Sequence, residues 1–439
     1  MMGLPVTDNA CPAPLARPLP AAQPWLLLAL ACSAILPFLP FLGLPPISDD
    51  YSQWFFARRY IAPGGWSGLW DDTLYRSRAT SLILSRSIDA LFGLSQPAHL
   101  LAGLATHALN ALLLFQVALA LGLSRTASLL SALCFATHSG HQEAIVWIAS
   151  QHELLVFAFC AIATLCWIRW SRTGGARWGG AAAFSYLAAL YSKESAVVLL
   201  PLLAYLWWST PRRPRPMLAT LLALALFSAL YTLAIFQATA THLHLNDGTF
   251  SLHAKFWITL PVSLARLLWP AGWLALALLL RAGGPLAHSA LGALLWMITA
   301  LLPYSFLTYQ TRVPSRHTYL AAAGLALLLG LAIHHLAQSR PPQQAWLAPT
   351  LFALLLAGNL LNLWLRKLPQ FERRAASTVH FLRFAKLHPG HIALGSAPFP
   401  LTAYQHAVSI VFGRPPESVQ RRFSQPNAQA TLYSEVVHP

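Results

Sequence analysis

WLLLALACSAILPFLPFLGL, residues 25–44, runs directly into PPISDDY, residues 45–51. The first stretch carries no charge, and its length is close to the ~20 apolar residues that a helix needs to cross ~30 Å of hydrocarbon. It is too long for a signal-peptide core and no small-residue cleavage site follows, so it reads as an uncleaved first span, kinked by Pro37 and Pro40. The second stretch then sets two carboxylates, Asp49 and Asp50, at the boundary between lipid and water.

The same alternation of long apolar runs and short polar breaks fills the chain. Of 439 residues, 56% are hydrophobic and 10% charged, against about 25% charged in a soluble domain. Eleven spans are expected, at 25–44, 98–121, 125–138, 152–170, 178–191, 194–209, 217–239, 258–281, 285–303, 318–336 and 346–364. The third and fifth are short, and Pro261, Arg266 and Pro270 turn part of the eighth along the interface. The fold class is an all-α polytopic membrane protein.

A net charge of +16 invites a nucleic-acid reading, but the basic residues form no single stripe. They sit in short clusters between apolar runs, as positive-inside topology requires. With the N-terminus in the cytoplasm, the inner breaks hold Arg125; Arg169, Arg172 and Arg177; Arg212, Arg213 and Arg215; Arg281; and Arg340, without an acid among them. Asp49, Asp50, Asp71, Asp72, Asp89, Glu143, Glu153, Glu194 and Asp247 fall on the other side. Residues 1–24, rich in Pro and Ala, read as a short disordered cytoplasmic tail. The spans occupy 25–364, and 365–439 is expected outside. Cys11, Cys32, Cys134, Cys160 and Cys166 show no metal-ligand spacing and read as small apolar filler.

The largest internal loop, 45–96, lies on the outer side. Asp49–Tyr60 and Asp71–Phe92 each place Asp near a helix start, where the backbone dipole favours it. Arg78, Ser85, Arg86 and Asp89 share one helical face, with Leu84, Ile88 and Leu91 on the other, a pattern suited to a helix lying flat in the interface. Beyond Leu365, residues 366–388 are basic and helical in tendency, His391–Gly395 reads as a strand and 401–412 as a helix, so the tail forms a small α/β extramembrane segment.

Chemistry concentrates at the outer ends of the first six spans. Asp49 and Asp50 suit a metal, or a base that takes a proton from an acceptor hydroxyl; they equally suit the first turn of a capped helix. His138, His141 and Glu143 are candidate ligands for a divalent metal, although without a regular zinc spacing, and a hydrogen-bonded cap with Trp147, His152 and Glu153 is the plainer alternative. Lys193, in the short turn with Glu194, is placed to attract a lipid phosphate or to pair locally. Arg58, Arg59, Arg76, Arg78 and Arg86 decorate the first loop and suit bidentate phosphate contact or anionic headgroups. His99, His107 and Asn110 lie inside the second span, where polar groups face the bundle interior.

In order along the chain these residues resemble the C-type (GT-C) membrane glycosyltransferases. The likeness is to the protein O-mannosyltransferase-like branch, with its bacterial members that carry tetratricopeptide repeats. It rests on Ser48–Tyr51, SIDALFGL at 87–94, His99-Leu100, HALN at 107–110, FATHSGHQE at 135–143, Val146–Ile148, Glu153–Leu155, YSKE at 191–194 and, more weakly, RHTYL at 316–320. The resemblance implies a GT-C-like fold with a flat helix pair in the first outer loop. It also implies a polyprenyl- or dolichyl-phosphate sugar donor, and an acidic pair containing the base, which points to Asp49. Departures are Ser139 where the family often has Pro, Gln151 where it often has a basic residue, Glu153 for Asp, and no tetratricopeptide region.

The expected function is transfer of a monosaccharide from a polyprenyl-phosphate donor, with inversion, to an acceptor hydroxyl on a glycan, lipid or protein at the outer face of a bacterial inner membrane. Asp49 or Asp50 would be the base. Lys193, Arg58, Arg78 and Arg86 would hold the phosphate, with His138, His141, Glu143, Trp147, His152, Glu153, Glu194, His99 and His107 supporting. Membrane lipid is a partner and nucleic acid is not. The rivals are a lipid-linked polysaccharide ligase or polymerase, which would use a large later loop rich in Arg and His, and a lipid or sugar transporter, which would show related halves or midplane charges.

Overall fold

The computed structural model describes residues 24–211, 213–308, 311–421 and 431–434. The expected N-terminal tail up to residue 23, with Cys11, and Arg212 lie outside the described residues. Among the described residues nineteen α-helices follow one another: α1 (Pro24–Ile35), α2 (Asp49–Tyr60), α3 (Trp66–Asp71), α4 (Ala79–Phe92), α5 (Gln96–Ala120), α6 (Arg125–Ala136), α7 (Gln142–Val146), α8 (His152–Thr173), α9 (Ala176–Leu190), α10 (Leu199–Trp208), α11 (Arg215–Gln237), α12 (Leu243–Asn246), α13 (Phe256–Leu268), α14 (Ala271–Ala282), α15 (Gly284–Leu301), α16 (Ala322–Ser339), α17 (Leu347–Asn362), α18 (Leu368–Leu387) and α19 (Leu401–Phe412).

The chain is mostly helical, with the helices of a multi-pass membrane protein. Helix falls on every predicted span, but among the described residues seven helices are long and apolar enough to cross a membrane. The bent pair α13–α14, turned by 85° where Pro270 interrupts the chain, makes an eighth if it is one span. Hydropathy marks an apolar stretch but not where its helix stops. α6 has 12 residues and α9 has 15; α9 starts only after Gly174 caps α8 in the left-handed conformation. Such short helices survive because others cover them. α6 is held between α5 and α16, and Gly330 allows the close approach: a Cβ there would lie 2.7 Å from Cα of Ser131.

The loop after the first span arranges α2 and α4 side by side. On α4 the polar face turns inward: Ser81, Ser85 and Asp89 are buried with Leu82 and Ile88, and Ile83, Leu91 and Phe92 are exposed. Gln53 of α2 donates to Ser85 at 3.1 Å. Ile88 thus sits on the packed side, because α2 supplies the partners that the polar face needs.

Where a break at 364 was expected, α17 continues through a π-helical turn, Leu363–Lys367, into α18. The small C-terminal sheet is parallel, with β1 (Ile392–Leu394) between β2 (Val419–Arg421) and β3 (Thr431–Tyr433). Its core is Phe381, Ile392, Leu394, Tyr404, Val408 and Val419. This unit does not hang free: α19 packs on α2.

Candidate active site

The turn from the first span into α2 is strained. Ser48 has φ 43° and ψ −108°, a conformation that costs a non-glycine residue about 1–3 kcal/mol and persists only where neighbours enforce it. Three contacts do so. The Ser48 N–H donates to Thr378 Oγ1 of α18 at 3.2 Å. The Ile47 N–H donates to Asp50 Oδ2 and the Ala149 N–H to Asp50 Oδ1, both at 2.9 Å. Asp50 is buried and spends each oxygen on a backbone amide, so it ties α2 to the link between α7 and α8. That link is itself set by α5: Gly103 faces the Ile145 carbonyl closely, and Gln151 Nε2 donates to the His99 carbonyl at 2.8 Å.

Asp49 is placed differently. Its carboxylate takes one local bond, from Ser48 Oγ at 3.1 Å, remains partly accessible and lies within the field of Arg316 and Arg374. Burial raises its carboxyl above the usual range, against the pull of Ser48 and the two guanidiniums. Asp50 is pushed up by burial to about 7, against its two amide donors.

Beside this pair stands Glu143. Its Oε2 accepts from Ser315 Oγ at 2.6 Å and the Arg316 N–H at 3.2 Å, and its Oε1 from Arg374 Nη1 at 3.0 Å. Burial alone would raise this carboxyl, yet Ser315, Arg316 and Arg374 together hold it below its ordinary value. Glu143 is a fixed anion, and Asp49 a carboxylate with raised basicity. Both guanidiniums lie over the Trp147 ring, at 4.8 Å for Arg316 and 4.7 Å for Arg374.

His317 leads from Arg316 into a second cluster. Glu153, fully buried, is paired with the Lys193 ammonium and with His317 Nδ1 at 2.5 Å, and its other oxygen accepts from Tyr304 at 3.0 Å. Lys193 also lies 4.6 Å from the centre of the Tyr304 ring. Arg78 meets His152 Nε2 at 2.9 Å and Glu194 at 3.6 Å. Tyr75 packs on Phe56 with ring centres 4.0 Å apart, and its phenol is raised by burial and by the charge of Asp49, against the pull of Arg78.

Not every sequence candidate joins these groups. Arg58 grips Asp89 with two bonds, 2.8 and 2.6 Å, and Arg86 adds a third at 3.2 Å, so both are committed within the loop. His99 accepts from Trp54 Nε1 at 3.0 Å and anchors α2 to α5. His107 lies 2.7 Å from Tyr319 Oη and 3.0 Å from the Ala136 carbonyl. His141 is enclosed by Phe135, His107, His138 and Tyr319. Because Glu143 turns away to Arg374, His138, His141 and Glu143 do not form a ligand set. Among the described residues no three His, Cys, Asp or Glu side chains are grouped to hold a metal. Conversely, Arg374, Tyr304 and Thr378 carried no local signal, and Arg316 and His317 appeared only as a faint echo.

The fold and these clusters describe a multi-pass membrane protein whose carboxylates, guanidiniums and imidazoles gather around the segment that follows the first span. Residues 82–232, from α4 into α11, match the family model described as dolichyl-phosphate-mannose-protein mannosyltransferase. No curated protein matches the chain. The family match supports a membrane glycosyltransferase of the mannosyltransferase type.

Proposed function

We propose that the protein transfers a monosaccharide from a polyprenyl-phosphate donor to an acceptor hydroxyl, with inversion, on the outer face of the bacterial inner membrane. In this reading the N-terminus is cytoplasmic and the C-terminus periplasmic. Asp49 takes the acceptor proton, and the freed oxygen attacks the anomeric carbon. The bond from that carbon to the phosphate oxygen breaks, and its electron pair leaves on the lipid phosphate. Arg78, Arg316 and Arg374 offset the phosphate charge, where planar guanidiniums suit its oxygens. Lys193, held by Glu153, fixes the neighbouring turn and adds positive charge behind them. Trp147 sets the two guanidiniums near Asp49. Holding both reactants in line supplies much of the acceleration.

The observation that carries this reading is the division of labour in the acidic pair. Asp50 is saturated by backbone amides, and its neighbour Asp49 keeps a partly accessible carboxylate of raised basicity in the field of two guanidiniums. To test it, the protein in lipid nanodiscs is given radiolabelled polyprenyl-phosphate mannose or a polyprenyl-diphosphate oligosaccharide, with a membrane extract as acceptor. Label should move from the monophosphate donor alone. Transfer only from the diphosphate would replace this reading with the ligase, and flux into liposomes without any transfer would replace it with the transporter.

A further inference from the structure

Beyond Arg78 a further group of polar side chains gathers around Glu194 and forms the wall of a hollow. Thr73, Arg76 and Arg78 reach it from the loop before α4, Glu194 from the turn after α9, and His242 from the segment after α11. The charge of Glu194 is felt at Arg78, Lys193 and His242, and the Arg76 guanidinium lies 5.8 Å from the centre of the Tyr231 ring. Glu194 stands beside these groups with 39% of its side-chain surface open, so it can meet a ligand. An open cleft of about 600 Å³, lined by Arg59, Tyr60, Asp71, Asp72, Thr73 and Thr241, shares Thr73 with this group, and its volume is in the range of small-molecule sites.

Thr73 Oγ1, Arg76 Nε, Arg78 Nε, Glu194 Oε2 and His242 Nδ1 are buried atoms without a hydrogen-bond partner. His242 itself is only 5% exposed. Burying so many unmatched donors and acceptors together is costly, and they would be matched by a polar group placed among them. The mixture of signs selects what that group is. An anion would meet Glu194 and Asp72, and a cation would meet Arg76 and Arg78. A neutral polyol donates to the carboxylate and accepts from the guanidiniums, and its carbon face packs on an aromatic wall. Such a wall is present: Trp70, Tyr191 and Tyr231 follow edge to face, with ring centres 5.6 Å apart at each step.

We propose that this hollow binds the sugar ring of the donor, an assignment that rests on the glycosyl-transfer reading above. Arg78 then lies where ring and phosphate meet. Glu194 and His242 are the groups that choose among sugars by the hydroxyls they bond.

The probes are methyl α-mannoside, methyl α-glucoside and the methyl glycoside of N-acetylglucosamine. Each is titrated onto the protein in nanodiscs by saturation-transfer NMR, alongside donors carrying the same three sugars. One glycoside should bind, and it should match the preferred donor. Glu194→Gln and His242→Ala should each weaken that glycoside roughly tenfold or more, raise KM for the donor and flatten the preference among sugars. Thermal unfolding identifies a variant that fails to fold, and Tyr231→Phe, which keeps the ring, should keep binding. Transfer with an unchanged preference in folded Glu194→Gln and His242→Ala overturns the sugar hollow and leaves the reaction standing. Glycoside binding that both variants abolish, without transfer from any donor, overturns the reaction and leaves the hollow.

Discussion

Replacing Asp50 with Asn separates the two members of the acidic pair. Asp50 accepts the Ile47 and Ala149 amides on its two oxygens, each at 2.9 Å. Asparagine keeps one oxygen and presents an NH2 group to the other amide. One buried N–H then goes unmatched, at a cost of about 1–3 kcal/mol, and the surviving bond falls to roughly half its charge-assisted strength. Relief from burying a carboxyl whose pKa stands near 7 offsets part of this at alkaline pH. The net expectation is a loss of about 1–3 kcal/mol, with the Ser48 turn loosened. Because a displacement of ~1 Å at a reacting group can cost ~100-fold, kcat should fall by about 10- to 100-fold with donor affinity little changed. Thermal unfolding in nanodiscs and single-turnover transfer measure the two effects. An Asp50→Asn protein as stable as the native one but devoid of transfer would show that Asp50, not Asp49, handles the proton.

Arg374 lowers the Asp49 carboxyl, so Arg374→Gln should raise it further. The limb of kcat/KM that rises with pH as Asp49 deprotonates should then move to higher pH, whereas Arg374→Lys should leave it in place; an unmoved limb in the Gln variant would sever the coupling. Thr378→Val removes the acceptor for the Ser48 N–H and should lower kcat by about tenfold, at an unfolding cost of about 1–3 kcal/mol; native kinetics would show that α18 does not hold the turn. Glu153→Gln leaves the Lys193 ammonium buried without its counter-charge, which costs about 3–5 kcal/mol; pairing it with Lys193→Met should restore unfolding stability but not transfer, and equal stability of the single and double variants would deny that the pair is coupled. Product analysis by NMR should find the anomeric configuration inverted.

Much of the architecture could be read from hydropathy because apolar runs near the bilayer length have few other uses. The tail strand and helix showed in the pattern of residues 391–412, since that small core repeats the rules of soluble domains. Helix ends were harder. α6 is short and neighbours, not lipid, cover it, α9 starts late because Gly174 ends α8, and the 346–364 span continued because a π-helical turn absorbs the change from apolar to basic sequence. Asp49, Glu143 and Lys193 stood out because a membrane chain tolerates few charges. Arg374 did not, for it sits among other basic residues of α18 and gains meaning only when the long helix brings it to Glu143. The loop arginines misled for a related reason: Arg58 and Arg86 look available in one dimension, and the pairing of α2 with α4 gives both to Asp89.

The most direct measurement is donor binding and transfer by the Asp49→Asn protein, in the same nanodiscs and with the same polyprenyl-phosphate sugar. Loss of a general base costs about 10²–10⁴ in rate and leaves the neighbouring amide contacts of Asp50 intact. Transfer should therefore fall by at least ~100-fold, with donor affinity and unfolding temperature near native. A variant that binds donor and still turns over at the native rate would contradict the account.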